Sequence, residues 1–291
     1  MWAIFTIIAA AAQTVRNATQ RQLTRELGTA GATHVRFLFG LPFALGFLAA
    51  IIVATGVTPP RPPAVFFGWV FVGALTQIIA TAMMLAAMEE RSFAVTIAYT
   101  KTEPVQVALF GLVILGDRLT VPMAIAILIA TGGVMAMSVQ PRGMGSVRPV
   151  LLGLTAGGFF ALAAVGFRGA IVTLTDANFL IAATLTLCVG LTLQAALLSL
   201  YLFIRERAVL VAIQQAWRPS LLAGFMGALA SQFWFLGFAL TSAANVRTLA
   251  LVEVLFAQAV TRFAFHQKTT PREAIGMVLI VGGVALLLGL Q

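Results

Sequence analysis

The amino-acid sequence predicts an all-α integral membrane protein with about ten transmembrane helices in a 5+5 inverted repeat. Three observations indicate this class. The chain of 291 residues is 60% hydrophobic and only 9% charged, and its mean hydropathy is +1.02. In soluble domains roughly a quarter of the residues are charged, so most of the surface of this protein is not adapted to water. The polar breaks are short, and the second half of the chain repeats the first.

The repeat becomes visible when the chain is compared with itself at an offset of 150 residues. Glu103 then corresponds to Glu253, and the further matches join Ser92 with Ser242, Ala94 with Ala244, Thr120 with Thr270, Ala124-Ile125 with Ala274-Ile275, and Gly132-Gly133-Val134 with Gly282-Gly283-Val284. An odd number of helices in each half inserts the second half upside down relative to the first. Such inverted repeats place a substrate site near the bilayer midplane, where the halves meet.

A bilayer span needs about 20 apolar residues, and we expect every span to be helical because an open strand edge in hydrocarbon leaves backbone groups unpaired. The predicted spans are 2–24, 33–55, 65–88, 93–115, 120–139, 149–171, 178–204, 218–241, 245–265 and 272–290. We expect residues 1–139 to form the first five-helix repeat, residues 149–291 to form the second, and residues 140–148 to link them.

The distribution of Lys and Arg predicts the orientation, because cytoplasmic breaks carry the excess of both residues. The breaks after the odd-numbered spans hold Arg21, Arg25, Arg91, Arg142, Arg148, Arg205, Arg207, Arg218, Lys268 and Arg272. The opposite side holds little more than Arg61, Arg118 and Arg168. Both termini are therefore predicted to lie outside the cytoplasm. The formal net charge of +9 does not indicate nucleic acid, because the cations stand singly between apolar runs.

The sequence also argues against several classes of protein. It has no Gly-rich phosphate loop, no CxxC pair, no Gly-x-Ser-x-Gly elbow and no nucleophile–base set, so we expect neither an enzyme nor a cofactor. His34 and His266 show no metal-ligand spacing. Cys188 is the single cysteine, which excludes an internal disulfide. The start of the chain lacks the basic region of a cleaved signal peptide and is interpreted as the first span.

Span 4 carries the main candidate site residue, Glu103, because an ionisable group inside an apolar helix is costly and needs a reason. Helical spacing places Tyr99 and Gln106 on its face, a polar stripe suited to a wet cavity. The alternative is a carboxylate that only ties two helices together. Lys101 lies on another face and either reaches toward the interface or pairs with a neighbouring helix. Pro104 lacks an N–H group and interrupts the helical hydrogen bonds.

Span 9 carries the repeat-related carboxylate, Glu253, with Val254 in place of the proline. Arg247 begins this span, on a face that leads away from Glu253, and is either an anion contact or a lipid-headgroup anchor. The two repeat-related carboxylates are also candidate proton carriers, which would suit a proton-coupled exchanger.

Spans 1, 2 and 8 supply further candidates. Asn17 shares a face of span 1 with Gln13 and Gln20, whereas Arg16 is either part of that cavity wall or interfacial. Arg36, close to His34, is expected to anchor the end of span 2. On span 8, Gln232 and Trp234 combine polar tips with an aromatic face and would suit a pocket for an amphipathic solute. The alternative for both is packing between helices.

Several of these motifs resemble a known family. Thr102-Glu103-Pro104-Val105, Leu115-Gly116-Asp117-Arg118-Leu119-Thr120 and Gly132-Gly133-Val134 are similar to the half-repeat of EamA-type transporters in the drug/metabolite transporter superfamily. His34-Val35-Arg36-Phe37 resembles the arginine signature of that family's second helix, and 159–168 resembles the opening helix of its second repeat. The chain departs at Asp117, where Glu is usual, and at 266–268, where Gly-Glu is common.

The resemblance implies ten helices around a central cavity lined mainly by spans 1, 3, 4, 6, 8 and 9. Members of this family export or exchange amino acids and other metabolites by alternating access in a bacterial cytoplasmic (inner) membrane. Glu103, Tyr99, Arg247 and Glu253 fall on spans 4 and 9, which the family places at that cavity.

Together these observations predict a secondary active transporter of a small polar metabolite, such as an amino acid or an organic anion. We expect eight substrate-binding residues: Asn17, Tyr99, Lys101, Glu103, Gln232, Trp234, Arg247 and Glu253. The expected partners are a small-molecule substrate and the lipid bilayer, with protons as a candidate coupling ion, no nucleic acid, and a monomer or homodimer. The alternatives are proton-coupled efflux of lipophilic cations and a lipid-headgroup flippase.

Overall fold

The structure is a computed structural model of the chain. The structure describes residues 1–90, 96, 99–138, 148–263 and 270–290. The predicted linker lies outside this part of the chain except for Arg148, and so do Arg91, Arg142, His266 and Lys268. Within the described residues every regular element is a helix, as the composition and the apolar runs predict.

Twelve helices are described and are numbered here in chain order. They are α1 (Trp2–Leu38), α2 (Gly40–Thr55), α3 (Ala64–Glu90), α4 (Glu103–Phe110, extended by a wider π-helical turn over Gly111–Leu115), α5 (Val121–Ser138), α6 (Arg148–Val172), α7 (Phe179–Arg205), α8 (Arg207–Gln215), α9 (Trp217–Leu240), α10 (Ala243–Leu249), α11 (Val252–Phe263) and α12 (Pro271–Gly289).

Six helical stretches in the described part of the chain are long and apolar enough to cross a bilayer, and two shorter apolar helices cover Glu103–Leu115 and Val121–Met137. The first of the six stretches, Trp2–Thr55, contains two predicted spans. Gly28 separates them, because its φ of 67° and ψ of 174° interrupt α1. The 37 residues of α1 would extend about 55 Å, well beyond the roughly 30 Å of hydrocarbon. The count of ten spans stays a prediction.

The two halves of the chain pack against each other in a symmetric pattern. The most extensive helix packing joins α3 with α6, α1 with α9, and α5 with α12, and each pair takes one helix from each half. A shift of 150 residues exchanges the first two pairs and maps the third onto itself. This pattern is the arrangement expected when two duplicated units form one bundle around a shared axis.

Glycines permit the close approach of α5 and α12. A Cβ atom at Gly133 would lie 2.6 Å from the Gly276 carbonyl oxygen, and one at Gly283 would lie 2.7 Å from the Ala126 carbonyl oxygen. These two contacts are related by the repeat. The neighbouring Gly132 and Gly282 face open space, so one glycine of each predicted pair packs against the partner helix.

The two helices that carry the repeat-related carboxylates are broken at equivalent positions. The chain is helical at Tyr99 and Thr100, makes a turn at 101–102, and resumes as α4 at Glu103. In the second half α10 ends at Leu249 and α11 begins at Val252. Both carboxylates therefore lie in the first turn of the second helical piece.

Proline alone does not account for these breaks. Pro104 lies at the start of α4, but the second break has Val254 at the corresponding position. There the chain tightens into 3₁₀-type hydrogen bonds, in which the N–H groups of Leu251, Glu253 and Val254 each donate to the carbonyl three residues earlier. The two breaks differ in sequence, but each places its carboxylate, Glu103 or Glu253, in the first turn of the following helix.

Candidate functional site

A cluster of buried charged side chains lies between the two halves, beside the broken helices. It surrounds a cavity of about 20 Å³, which is room for roughly one water molecule. Polar and charged residues form most of its wall, and the lining residues are Gln13, Arg16, Asn17, Arg36, Gln77, Met84, Thr100, Lys101, Glu103, Phe160, Trp234 and Arg247. The first half supplies most of them, and the second half closes the cavity through α6, α9 and α10.

One ion pair of the cluster joins the two broken helices. Lys101 Nζ donates a hydrogen bond to Glu253 Oε2 at 2.5 Å, and both side chains are more than nine-tenths shielded from solvent. Gln13 Nε2 also donates to Glu253 Oε2 at 3.2 Å. Trp234 Nε1 donates to Gln13 Oε1 at 3.1 Å, which fixes the orientation of that amide. Four side chains from α1, α9 and both breaks therefore form one connected polar chain.

The second ion pair joins a cation of the second half, Arg247, to a carboxylate of the first half, Glu103. Arg247 Nε lies 3.0 Å from Glu103 Oε1, but the N–H group is not aimed at that oxygen, and neither atom has a hydrogen-bond partner. The Arg247 guanidinium carbon lies 4.5 Å from the centre of the Trp234 ring and 5.3 Å from that of Phe238. This cation is therefore held by aromatic faces as well as by charge.

Two arginines of α1 complete the cluster. Arg16 donates from Nε and Nη2 to Asn17 Oδ1 at 3.1 and 2.6 Å, and Arg36 Nη1 donates to Thr81 Oγ1 at 3.1 Å. Each arginine is only 2% exposed. Arg36 is expected from the sequence to anchor the end of a span; it lies in the last turn of α1, but its side chain is buried and lines the cavity. Of the two interpretations of Arg16, the structure favours the cavity wall.

The eight predicted substrate-binding residues divide into two groups. Asn17, Lys101, Glu103, Trp234 and Arg247 line the cavity, and Glu253 reaches it through Lys101. Tyr99 and Gln232 form the second group.

Tyr99 and Gln232 are not part of the cavity wall. Tyr99 Cβ packs against Gly153 of α6, where a Cβ atom would come within 2.6 Å of it. Gln232 Nε2 donates to Thr184 Oγ1 of α7 at 2.7 Å. Gln20, from the predicted polar face of span 1, donates to the Ala32 carbonyl and bridges the two parts of α1. A role in substrate binding for Tyr99 and Gln232 stays a prediction.

Sequence reasoning missed several cavity residues on α3 and α6. Gln77 and Met84 lie on α3, and Phe160 lies on α6. Gln77 Oε1 accepts a hydrogen bond from Gln194 Nε2 of α7 at 2.8 Å. A lone glutamine inside an apolar span was the one available signal, since methionine and phenylalanine are ordinary residues of such spans.

The two ends of the bundle differ. At one end Arg168 of α6 pairs with Asp117, which follows α4, and also donates to the carbonyls of Phe238 and Thr241 at the end of α9. At the other end a cavity of about 320 Å³ opens between α1 and α3, lined by Arg21, Thr24, Arg25, Leu85, Met88 and Glu89. We refer to this second cavity as the basic vestibule. The positive-inside rule predicts that it faces the cytoplasm.

The fold and the cluster define a class: a duplicated helical membrane protein with a buried ionic site between its halves. The chain matches the EamA-like transporter family over residues 1–139 and 147–289 and belongs to that family. It is therefore a membrane transporter of the drug/metabolite transporter superfamily, as the sequence motifs predict.

A comparison with solved structures supports the fold. One crystal structure, described only as that of a protein, covers 99% of this chain and 99% of its own with a TM-score of 0.69. The two sequences are 19% identical, so the likeness concerns the fold alone. The comparison with curated proteins returned no match.

Proposed function

We propose that this transporter is a secondary active exporter or exchanger of a small polar metabolite, such as an amino acid or an organic anion, and that it works by alternating access. The observation that carries the proposal is the buried cluster in which Lys101 pairs with Glu253 and Arg247 pairs with Glu103. Each pair takes one member from each half of the chain. Ionisable groups at membrane depth are expensive and mark a solute pathway by default.

The state of the two ends supports alternating access. Beyond the cluster, Arg168 of α6 pairs with Asp117 after α4 and donates to carbonyls at the end of α9, whereas the basic vestibule approaches the cluster from the other side. The cavity of about 20 Å³ between them is smaller than a metabolite. Movement of one half against the other would widen the site, close the vestibule end and open the opposite end of the bundle.

The first test removes one charge from a cross-half pair. We expect Glu103→Gln and Arg247→Gln to abolish flux in proteoliposomes, because each change leaves its buried partner without a counter-charge. The exposed Arg61→Gln in the loop before α3 is the matched control and should transport like the wild type. Size-exclusion profiles and melting curves check that the variants are folded. Wild-type flux in both site variants would contradict the proposal.

Proton-coupled efflux of lipophilic cations is the first alternative. It would use Glu103 and Glu253 as a shared site for protons and drugs, and ethidium efflux that collapses on a Glu→Gln change would favour it. The structure offers little for this alternative, because both carboxylates already face a cation within the cluster.

A lipid-headgroup flippase is the second alternative, and one observation favours it. A mostly apolar groove of about 510 Å³ opens at the side of the bundle between α1, α7 and the short amphipathic α8, with Leu38, Phe203 and Leu210 in its wall. Lipid that copurifies in this groove, together with transfer of a labelled phospholipid between leaflets, would support a flippase.

A further inference from the structure

The charges of the central cluster do not balance. Lys101 and Arg247 each have a carboxylate partner, which accounts for Glu253 and Glu103. Arg16 and Arg36 are left with neutral partners, Asn17 and Thr81. Four cations against two carboxylates leave two positive charges in excess. Within the described residues, no carboxylate forms an ion pair with Arg16 or Arg36.

The surroundings of Arg36 make this excess more costly. Glu103 and Glu253 favour the charge of Arg16 without forming an ion pair with it, whereas the cations of Arg16 and Arg247 oppose the charge of Arg36. Arg36 Nε is buried and has no hydrogen-bond partner. A buried charge without a counter-ion is costly, and a fold that keeps two such arginines in one place needs a reason.

The two side chains converge on one spot of α9. A Cβ atom at Gly227 would lie 3.1 Å from Arg36 Cγ and 3.5 Å from Arg16 Cδ. Both arginines therefore pass over the same glycine and reach the same cavity, which both of them line. The absence of a side chain at Gly227 gives them this space.

We infer that the transported solute carries two negative charges, and that Arg16 and Arg36 are the pair that binds them. The inference rests on the proposed transport function and names the substrate class of that site. Guanidinium groups present several N–H donors in a fixed plane and match carboxylate and phosphate oxygens well. A solute with two anionic groups, or one doubly charged phosphate, supplies both missing counter-charges at once.

The approach to the site fits such a solute. The basic vestibule brings Arg21 and Arg25 to the open end of α1, with Glu89 as its acidic member. Glu89 Oε1 accepts a hydrogen bond from Thr29. Lining cations raise the local concentration of anions. A dianion would then pass from the vestibule to Arg16 one to two helical turns deeper on α1.

The test compares four probes of similar size on the purified full-length chain at equal ionic strength. Succinate and glycerol 3-phosphate carry two negative charges, butyrate carries one, and alanine is a zwitterion. A ligand that binds only the folded form raises the melting temperature according to its concentration and affinity. We expect at least one of the dianions to bind about tenfold or more tightly than butyrate and alanine. The two dianion arms distinguish a dicarboxylate from a phosphate ester.

Variants assign the effect to the two arginines. We expect Arg36→Gln and Arg16→Gln each to weaken dianion binding by about tenfold or more, and Arg36→Lys to retain part of it because the charge remains. Arg61→Gln should bind like the wild type, because Arg61 is exposed in the loop before α3. If a glutamine variant does not fold, the wild-type probe series and the lysine variant still test the inference.

The outcomes separate this inference from the proposed function. Butyrate or alanine bound as tightly as both dianions, or dianion binding unchanged in folded Arg16→Gln and Arg36→Gln variants, would overturn the inference. Flux of those solutes that depends on Arg247 would leave the transport proposal standing. A dianion that binds through both arginines but crosses no proteoliposome membrane would instead contradict transport and keep the assigned binding site.

Discussion

Lys101 and Glu253 form an ion pair that few other groups could replace, because both side chains are almost fully buried and they come from opposite halves of the chain. Burying two charges is costly, and their mutual attraction offsets that cost only while both are present. The pair therefore contributes more to the specific association of the halves than to the net stability of the protein.

This asymmetry predicts the result of a double-mutant cycle. Lys101→Met leaves Glu253 with Gln13 as its remaining partner and should lower the free energy of unfolding by about 3–5 kcal/mol. Adding Glu253→Gln removes the unpaired charge and should restore most of that loss. Unfolding in sodium dodecyl sulfate, followed by tryptophan fluorescence, measures each term. Losses that simply add in the double variant would show that the two side chains are not coupled.

Individual residues show how far the sequence could predict the site. The repeat identified Glu103 and Glu253, and the polarity of Asn17, Lys101 and Arg247 within apolar spans marked them as candidates. The pairing of these residues across the halves could not be predicted, because helical periodicity describes one helix and not its contacts 150 residues away. Arg36 does lie at the end of α1, but its burial depends on packing against Gly227 of α9, which the sequence of α1 does not show.

At the scale of helices, the close pair α5 and α12 is one of the three most extensive contacts between the halves. Gly133 and Gly283 occupy the two contacts, and both backbones approach too closely for a side chain at either position. The sequence shows two repeat-related glycine pairs, but it could not tell which glycine of each pair faces the partner helix.

Single alanine substitutions distinguish these glycines. Gly133→Ala and Gly283→Ala would force the helices apart and should destabilise the protein by about 1–3 kcal/mol, the usual cost of overpacking. Gly132→Ala and Gly282→Ala are matched controls, because nothing lies within 4 Å of either added Cβ atom, and they should be neutral or slightly stabilising. Melting temperatures of the four variants in one detergent give the comparison. Equal effects within each pair would contradict the packing described here.

Only one of the two helix breaks could be predicted from the sequence. Pro104 indicated an interruption of the first one, whereas the break after Leu249 has no proline and appears only in the packed structure. Residues 248–253 around that break include neither proline nor glycine, so the local sequence carries no signal for it.

At the scale of the whole molecule, the transport proposal depends on how the two halves pack together and insert in the membrane. The symmetric packing of α1 with α9 and of α3 with α6 is the pattern expected of duplicated units that enclose one site. Their opposite insertion in the membrane is a prediction from the odd number of spans in each half, and the charge bias predicts which side each loop faces.

Cysteine labelling of two repeat-related loops tests this relation most directly. Thr58 precedes α3, Ala208 lies in the first turn of α8, and the two exposed positions differ by the repeat offset of 150 residues. The buried native cysteine is first removed as Cys188→Ala, and Thr58→Cys and Ala208→Cys are then made separately. In intact cells, a membrane-impermeant maleimide should label the cysteine at 58, whereas the one at 208 should react only after the membrane is opened. Labelling of both positions from the same side would contradict two oppositely inserted halves around a central charged site.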